Sequence, residues 1–414
     1  MGMNDTQLYE QILGLTPPWR VAGVTLKKEL RQIEIEVICD ETVWACPECR
    51  QRMHAHGSER RWWRHLDTCQ FQTLVVADVP RVKCATHGTQ QVRVPWAEKY
   101  SRFTALFERF AIDVLLECSI RGACELLGIS WEEADGIKQR AVDRGLARKT
   151  SAAPRRVCVD EKSFGRGHDY VTLVLAVEQG RAATVERITE GRTRESLEAY
   201  WRTLTPEQRM AMEAISMDIW EPYAAATRAC VPGAEHKIVH DPFHLLRHMN
   251  EAVNDVRKGE HRALQKLGDT RLAGSKQLWL YGWENVPDRW EGRLDALRGQ
   301  KLKTSRAWAL KELFRDFWTC PTVEQARAFF ARWYAWAIRS RLGAVKRVAR
   351  MFRRHLEQIL TYFRHRLTNA AAEGMNNRVQ SLIAKAYGYR NRERFKRDIL
   401  FHAGGLQLYP VCLQ

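Results

Sequence analysis

Apolar and polar residues change their period several times along the chain, and each change predicts a different kind of element. After a short polar helix, residues 31–40 (RQIEIEVICD) alternate with a period of two, which predicts a strand. The stretch 71–84 (FQTLVVADVPRVKC) predicts a second strand. Residues 103–149 have helical spacing, with a break at 126–130. The first third of the chain therefore predicts a small sheet followed by helices.

The middle of the chain alternates between strand and helix patterns. Three strands are predicted within 155–189, with a turn at Gly180 between the last two. A helix at 192–204, a strand at 213–218, a helix at 221–230 and a strand at 236–240 follow. Residues 242–365 have helical patterns with many Trp, and the last helices are predicted at 367–385 and 391–402. Three antiparallel strands followed by strands that alternate with helices are typical of a ribonuclease-H-like domain.

Composition places this α/β chain among globular proteins that stay outside membranes. The 414 residues are 45% hydrophobic and 28% charged, with no apolar run long enough to span a bilayer. The first residues lack the basic start and apolar core of a secretory signal. The 11 Cys residues stand mostly singly, which favours a reducing compartment and one metal site over a disulfide framework. We expect a cytoplasmic location.

Net charge is the strongest compositional signal and is very unevenly distributed. The formal charge is +17, and residues 301–414 carry 23 Lys and Arg against 7 Asp and Glu, which is +16 of that total. A basic helical face exposed to solvent is the alternative, but an excess of this size favours a phosphate-binding surface. The residues predicted to contact DNA are Arg339, Arg341, Lys346, Arg347, Arg350, Arg353, Arg354, Arg378, Lys385 and Arg390.

Two short motifs predict a structural zinc site in the first hundred residues. Cys46 and Cys49 are spaced as C-x-x-C, and Cys84 and His87 as C-x-x-H. Two such pairs, each beside a predicted strand, can supply four ligands in a tetrahedron with no open position. The alternative is a set of buried thiols with a surface His.

Residues 119–145 have the outline of a helix-turn-helix. Ser119 and Ser130 are placed to cap two helices, Gly128 allows the turn between them, and Ala123, Leu126 and Leu127 are predicted to face the core. The second helix begins WEEADGIKQR, and its early acids would repel phosphate. A plain pair of packed helices is the alternative, and we expect this segment to contribute less DNA affinity than the basic C-terminal region.

Three acids stand where a metal-dependent site would need them. Asp160 and Asp218 end predicted strands, and Glu373 lies on a late helix with Asn369 and Asn377 four residues to either side. Carboxylates from two strands and one helix can hold a pair of Mg²⁺ ions for in-line displacement at phosphorus. Each acid by itself is more typical of a helix cap or a surface carboxylate, but the combination of strand order, motif context and the basic C-terminal region favours the site.

Several segments together resemble the ISL-three family of bacterial insertion-sequence transposases along nearly the whole chain. They are CPEC with RRWWRHLDTCQFQTLVVADVPRVKCATHG, then VDEKSFGRGHDYVTLV, SMDIWEPY, VHDPFHLLRHMNEAVNDVR and NAAAEGMNNRVQSLIAKAYGYRNRERFKRDIL. The resemblance implies a zinc-binding N-terminal domain, a helix-turn-helix and a ribonuclease-H-like catalytic domain. It also implies that the catalytic acids are Asp160, Asp218 and Glu373.

The resemblance extends to a D-x-x-H motif at Asp241 and His244, where Pro242 replaces the basic residue that family members usually carry. We expect Asp241 and His244 to support the active site, and a capping Asp with a packed His is the alternative. Four Trp residues of the insertion could stack on a flipped base, although a Trp-rich core is the favoured interpretation. They are Trp279, Trp283, Trp290 and Trp308.

The expected organisation is four parts: 1–100 zinc-binding, 101–150 helix-turn-helix, 151–245 with 361–414 ribonuclease-H-like, and 246–360 a helical insertion. The expected function is transposition: binding of terminal inverted repeats in double-stranded DNA, then strand cleavage and transfer into target DNA. Two Mg²⁺, replaceable by Mn²⁺, and one structural Zn²⁺ are the expected metals, with at least a dimer on DNA in the bacterial nucleoid. The alternatives are an inactive zinc and helix-turn-helix regulator, and a nuclease that never joins ends.

Overall fold

A computed structural model of the chain describes residues 4–149, 152–165, 169–178, 180 and 182–411. By contacts the chain divides into two compact units: Met1–Thr150 together with Lys385–Gln414, and Ser151–Ala384. The predicted boundary between the segments 101–150 and 151–245 falls on residues 150 and 151, which lie outside the described residues.

A short helix and a sheet open the first unit. Helix α1 spans Asp5–Leu13, and the sheet has the strand order β1-β2-β5-β4-β3, with β6 beside the far end of β5. Its strands are β1 (Trp19–Lys27), β2 (Gln32–Cys39), β3 (Val43–Ala45), β4 (Arg52–Thr68), β5 (Phe71–Cys84) and β6 (Gly88–Gln91). The strands predicted at 31–40 and 71–84 are confirmed as β2 and β5, which pair in parallel.

Strand β4 gave no apolar alternation in the sequence, and its pairing explains why. It is antiparallel to β5 along most of its 17 residues, with register shifts after Ala55 and His65. From Arg52 to Arg60 most side chains are exposed, so no core face imposes a period there. Only near Trp63 does the strand enter the core, where that ring packs edge-on against Trp96 at 5.3 Å.

Three helices complete this part of the chain: α2 (Ala105–Glu117), α3 (Ile120–Leu127) and α4 (Trp131–Arg148). Ser119 and Ser130 cap α3 and α4 as predicted, and Gly128 adopts the left-handed conformation at φ 63° that the turn requires. The prediction that Leu126 faces the core is wrong, because its side chain is 71% exposed. Helices α2 and α4 pack on the side of α3 that carries Ala123 and Leu127, which leaves Leu126 outside.

The second unit contains a five-stranded sheet with the order β11-β10-β7-β8-β9. Its elements are β7 (Arg156–Ser163), β8 (Tyr170–Ala176), β9 (Thr184–Glu190), α5 (Arg194–Trp201), α6 (Pro206–Met210), β10 (Ala214–Met217), α7 (Glu221–Cys230) and β11 (Ile238–His240). Strand β8 is antiparallel to its neighbours β7 and β9, while β10 runs parallel to both β7 and β11. The predicted order of strands and helices in this region is confirmed.

A helical segment follows β11 and builds its own core. Its helices are α8 (Pro242–Gln265), α9 (Lys276–Leu280), α10 (Asp288–Arg298), α11 (Lys303–Arg315), α12 (Val323–Arg339), α13 (Gly343–Arg354), α14 (Leu356–Leu360) and α15 (Tyr362–His365). Trp279 and Trp308 are buried in that core. Trp290 packs against its edge, and Trp283 is 42% exposed with the Arg298 guanidinium 4.4 Å from its ring. The packing interpretation thus fits Trp279 and Trp308.

The chain ends with α16 (Ala370–Lys385) and α17 (Arg392–Ala403). The contacts of α17 place residues 385–414 in the first unit, whereas the sequence grouped 361–414 with the catalytic segments. Helix α17 packs on α4, where Asp398 accepts a hydrogen bond from Lys138 at 3.0 Å and Arg397 pairs with Asp135. The early acid Asp135 of α4 is therefore neutralised within the protein.

The carboxylate of Glu108 holds the helices of the first unit together. It is 1% exposed and accepts hydrogen bonds from Ser101 at 2.8 Å, Arg140 at 2.8 Å and Arg144 at 3.0 Å. We expect Glu108→Ala to destabilise this unit by about 3–5 kcal/mol, because it leaves buried guanidinium charge without its partner. Hydrogen exchange of α2 and α4 amides measures the loss.

The control is Glu125→Ala, which removes an exposed carboxylate that pairs with Arg121 one helical turn away. Exposed pairs of this kind contribute about 0.3–0.5 kcal/mol. Equal protection of α2 and α4 in the two variants would contradict a structural role for Glu108.

Candidate functional site

Three carboxylates stand in one row at the edge of the second sheet. Ser216 on β10 pairs with Cys158 on β7 in parallel register. Asp218 and Asp160 each lie two residues further along the chain, so they come at the same level. Asp241 follows β11 at the same level, because β10 and β11 continue in parallel register. The carboxyl ends of parallel strands in open sheets are where ligands commonly bind. The fold therefore gathers acids from three separate segments at one edge.

Cationic side chains from α8 surround Asp218. Its carboxylate lies 3.4 Å from His244 Nδ1 and 2.9 Å from Arg247 Nη2, and it also accepts the backbone N–H of Ile219 at 2.7 Å. Burial acts to raise the pKa of Asp218, but these neighbours hold it well below its usual range. In the same way the charge of Asp218 overcomes burial and raises the pKa of His244. Asp218 is ionised at neutral pH.

Asp241 connects two distant parts of the chain. Its side chain caps α8 by accepting the N–H groups of Phe243 at 2.9 Å and His244 at 3.2 Å. Its other oxygen accepts the backbone N–H of Asn369 at 2.6 Å, across a separation of 128 residues. Because Asp241 is 1% exposed, these hydrogen bonds are shielded from water, and they fix where α16 begins.

Glu373 lies in the first turn of α16, beside the D-x-x-H motif. Ligand atoms of Asp241, His244 and Glu373 all lie within 4.8 Å of one another. Burial, and then the charge of Asp241, raise the pKa of Glu373, and its buried Oε1 has no hydrogen-bond partner among the described residues. This group can hold a cation, although Asp160 and Asp218 do not belong to it.

Asp160 is bound from α16 by an amide that the sequence analysis did not select. Asn376 donates from Nδ2 to Asp160 Oδ2 at 2.7 Å, whereas Asn377 is exposed. Asn369 is fully buried and immediately precedes α16. Residues three apart on a helix share a face as well as residues four apart, so the spacing from Glu373 to Asn376 was the missed signal. Arg247, one turn after His244, was missed in the same way.

Burial makes Asp160 a weaker acid than an ordinary aspartate. It is 9% exposed, and burial followed by the charge of Glu161 raises its pKa to about 6. Perturbed acids concentrate at functional sites, where charged groups are gathered in a partly buried cleft. Asp160 has this character.

The four predicted zinc ligands lie together in the first unit, at the β4 and β5 ends of the sheet. Sulfur atoms of Cys49 and Cys84 are 3.7 Å apart, and His87 Nδ1 lies 3.5 Å from Cys84 Sγ and 3.8 Å from Cys46 Sγ. Zinc–sulfur bonds of about 2.3 Å in a tetrahedron separate two sulfurs by about 3.8 Å. Backbone N–H groups lower the pKa of the Cys46 and Cys84 thiols, which favours the thiolate form that metals bind.

The predicted DNA-binding residues are mostly exposed. Helix α13 separates a buried apolar face from a basic one, and its Arg347, Arg350, Arg353 and Arg354 line a shallow cavity with Tyr334. Arg339 and Arg341 lie exposed before that helix, and Lys346 is half-buried within it. Arg378 is exposed on α16 and Arg390 is exposed before α17, whereas Lys385 donates to the carbonyl of Glu117 at 2.6 Å.

Comparison with known proteins gives the class of this protein. Residues 157–399 match the sequence model of a transposase family. Residues 42–87 match the zinc-finger of the IS204, IS1001, IS1096 and IS1165 transposases, and residues 92–142 match the helix-turn-helix domain of transposase family ISL3. The protein is therefore a transposase with a zinc-finger and a helix-turn-helix, and the chain belongs to the ISL3 family.

Two curated relatives agree with this along most of their lengths. The transposase for insertion sequence element IS1557 of Mycobacterium tuberculosis is 25% identical, over 94% of this chain and 93% of the relative. The transposase for IS1001 of Bordetella parapertussis is 25% identical, over 95% of this chain and 97% of the relative. Among the described helices, none is both long enough and apolar enough to cross a bilayer.

The raised pKa of Asp160 predicts a measurable cost to stability. A carboxyl whose pKa is higher in the folded than in the unfolded chain opposes folding once it ionises, from about pH 4, and fully above about pH 6. Without divalent metal, we expect Asp160→Asn to stabilise the second unit by about 1–3 kcal/mol at about pH 8 and by little at about pH 4. Hydrogen exchange of β7 and β10 amides at both pH values measures this.

The matched control is Glu213→Gln, which changes an exposed acid of the same unit that pairs with Arg155. It should leave the pH dependence unchanged. A gain for Asp160→Asn of equal size at both pH values would mean that ionisation of Asp160 costs nothing.

Proposed function

We propose that this transposase cleaves the ends of its insertion sequence and joins them to target DNA, using Asp160, Asp218 and Glu373 as its catalytic acids. The single observation that carries the proposal is the register that places Asp160 and Asp218 side by side at the sheet edge. Glu373 joins them through His244, which lies 3.4 Å from Asp218 and within ligand distance of Glu373. Strand order and this edge support a ribonuclease-H-like catalytic domain.

The donor set fits a hard divalent cation. Carboxylates dominate the site, and the buried Oε1 of Glu373 and Oδ1 of Asn376 have no partner among the described residues. Oxygen-rich sites of this kind suit Mg²⁺, with Mn²⁺ as a substitute. When bound by Asp160, Asp218 and Glu373, a pair of such ions supplies Lewis-acid stabilisation of the attacking and leaving oxygens in phosphoryl transfer.

The surrounding residues of the chain position these acids. Asn376 orients Asp160, and Asp241 holds the start of α8 against the start of α16, so that Glu373 faces His244. Arg247 pairs with Asp218, and it is exposed enough to exchange this partner for a DNA phosphate. An arginine at this edge offsets the repulsion between an acidic site and the phosphate backbone. Asp241 and His244 thus act as positioning residues in the proposal, with Asn369 and the exposed Asn377 beside them.

The remaining parts bind zinc and DNA in this proposal. One Zn²⁺ is held by Cys46, Cys49, Cys84 and His87, in a domain covering 1–100. Segment 101–150 is the helix-turn-helix, 151–245 with 361–414 form the catalytic domain, although α17 packs on α4 in the first unit, and 246–360 is the insertion. The substrates are terminal inverted repeats and target DNA, bound by at least a dimer associated with the bacterial nucleoid in the cytoplasm.

Removing one acid should separate catalysis from binding. We expect Asp160→Ala to reduce cleavage of an inverted-repeat duplex in Mg²⁺ or Mn²⁺ by at least about a thousandfold, because it removes a carboxylate that would hold the divalent cations that stabilise the phosphoryl transition state. Affinity for the duplex should change less than about threefold, since Asp160 itself repels phosphate. Gel assays of cleavage, strand transfer and binding measure all three.

Glu213→Ala is the control, because it removes an exposed acid of the same unit. Binding without cleavage by the unmodified protein would instead support the inactive regulator. Cleavage without any joined product would support the nuclease.

Zinc should be required for the fold of the first unit. We expect Cys84→Ser to release the single bound Zn²⁺ and unfold the β4 and β5 region, because structural sites supply folding free energy directly. Elemental analysis and hydrogen exchange measure both effects. Cys69→Ser is the control, since Cys69 is exposed in the turn between these strands. One zinc per chain retained by Cys84→Ser would rule out the proposed ligand set.

The basic face of α13 should carry much of the electrostatic affinity. Among the described residues, Arg350, Arg353 and Arg354 make no ion pair, so phosphate contacts would release counterions at each. We expect their joint replacement by Ala to flatten the slope of log affinity against log salt by up to about 2.7, at about 0.9 per contact. Binding isotherms from low to moderate salt measure the slope.

The matched control replaces three arginines of the same unit that already pair with carboxylates. They are Arg155, Arg194 and Arg202. If the control flattens the slope as much as the α13 variant, or if removal of the N-terminal domains takes away most of it, the DNA track lies elsewhere.

A further inference from the structure

A cavity opens beside the first two turns of α8, next to the candidate active site. Phe243, Leu246 and Asn250 line one side, and Leu280, Gly282 and Asn285 line the other. The cavity has a volume of about 240 Å³. Sites for drug-sized ligands are about 300–1,000 Å³, so this one suits a single flat ring system of one nucleotide.

The far wall of the cavity is held rigidly. Lys311 is 2% exposed and donates to the carbonyl groups of Trp279 at 3.1 Å and Tyr281 at 2.6 Å. Trp308 donates to the same Tyr281 carbonyl at 3.3 Å. Because the buried Lys311 ammonium donates its hydrogen bonds to these backbone carbonyls, it fixes the end of α9. The wall of the cavity is therefore formed before any ligand binds.

The floor of the cavity is formed where the Arg315 guanidinium packs against the backbone of Gly282. A Cβ there would lie 2.2 Å from Nη1 of Arg315, so a larger residue would require that guanidinium to move. Arg315 is held in turn by Glu284 at 2.7 Å and Glu312 at 2.9 Å, and Glu312 also accepts the N–H of Trp283 at 2.9 Å. The loop after α9 is therefore shaped around this arginine.

The lining combines the groups that recognise a nucleobase. Phe243 is a large apolar ring that stays 56% exposed although it follows a buried aspartate by two residues. Asn250 has a buried Oδ1 without a partner among the described residues, and it can accept a hydrogen bond from a ring or amino N–H. Arg247 lines the rim and can contact a phosphate. Aromatic stacking, an amide and a cation are the usual means of holding an unstacked base.

We propose that this cavity binds one unstacked nucleobase of the DNA strand at the cleavage site, with Phe243 as the stacking residue. The inference rests on the proposed function, because it assumes that the DNA end lies over Asp218. Arg247 makes the connection: the same side chain contacts the Asp218 carboxylate at 2.9 Å and lines the cavity. A nucleotide next to the cut would thus have its phosphate at Arg247 and its base against Phe243.

This assignment replaces the Trp residues as the stacking group. Trp279 and Trp308 are buried, and Trp308 helps to hold the cavity wall rather than to line it. Trp283 already stacks against Arg298 at 4.4 Å. Of these rings, none lines the cavity that borders Arg247.

The test couples Phe243 to single bases of the DNA. Full-length, zinc-loaded protein cleaves duplexes of the inverted repeat that carry one abasic nucleotide, which is moved stepwise through the positions beside the cut. On intact DNA we expect Phe243→Ala to slow single-turnover cleavage about tenfold, as the loss of one base–aromatic stack predicts. When the abasic nucleotide stands at one particular position, Phe243→Ala should slow cleavage by less than about twofold, because no base remains there to stack on residue 243. Phe243→Trp should restore the rate.

Two further variants make the result decisive. Trp283→Ala tests the competing aromatic residue, and Leu267→Ala removes a side chain that is 82% exposed and outside the cavity. A Phe243→Ala penalty that is equal at every abasic position, or absent on intact DNA, would overturn the proposal. So would a position-dependent loss that appears with Trp283→Ala instead.

The two proposals fail in different ways. If the unmodified protein does not cleave in Mg²⁺ or Mn²⁺, the proposed function is wrong. The same set of duplexes then gives the coupling from equilibrium binding, where the identical pattern supports the cavity and its absence rejects it.

Discussion

The hydrogen bonds of the buried Asp241 carboxylate are the interactions on which the geometry of the candidate site depends. With one side chain Asp241 caps α8 and holds the backbone N–H of Asn369, so that segments 128 residues apart begin at the same place. The helices between them, from α8 to α15, build a helical core of their own. A fully desolvated carboxylate that accepts three N–H groups costs a great deal if one is lost, which makes the arrangement rigid.

Around this fixed point, neighbouring acids have different electrostatic environments. Asp218 is stabilised as an anion by His244 and Arg247, whereas burial raises the pKa values of Asp160 and Glu373. One carboxylate of this site already has cationic partners, whereas the ionised forms of the other two are destabilised by burial. Added positive charge, such as a bound cation, would stabilise those two ionised carboxylates. The same imbalance explains why cationic side chains of α8 point toward the sheet edge.

Charge is used differently in the two compact units. In the first unit, acids and bases neutralise each other inside the fold, as Glu108 does with Arg144 and Asp398 with Lys138. In the second unit, the arginines of α13 face outward above an apolar face, around the ring of Tyr334. The second helix of the helix-turn-helix is partly packed and partly acidic, so it offers little free positive charge to phosphate, in line with the proposal that the arginines of α13 carry much of the electrostatic affinity.

The sequence by itself determined strands β2 and β5, the order of the strands from β7 to β11, and the capped helices α3 and α4, because period-two and helical patterns, capping serines and the αL glycine at 128 depend on neighbours within a few residues. By spacing alone it also selected Cys46, Cys49, Cys84 and His87, whose ligand atoms lie together in the zinc-finger region. It could not show strand β4, whose exposed half has no core face to impose alternation, nor that Leu126 faces outward.

Around the candidate site, the sequence selected the acids at the strand ends but not the side chains that pair with them. Arg247 and Asn376 lie one helical turn from the motifs, and nothing in the sequence distinguishes them from other residues there. Whether Asn376 or Asn377 reaches Asp160 depends on the rotation of α16 about its axis. That rotation is fixed by the Asp241 bond to Asn369 and by burial of Met375 and Val379, which are tertiary contacts. The exposure of Phe243 beside a cavity likewise follows from the loop after α9, nearly forty residues further along the chain. Local patterns fix what each segment becomes, whereas long-range packing decides which side chains meet.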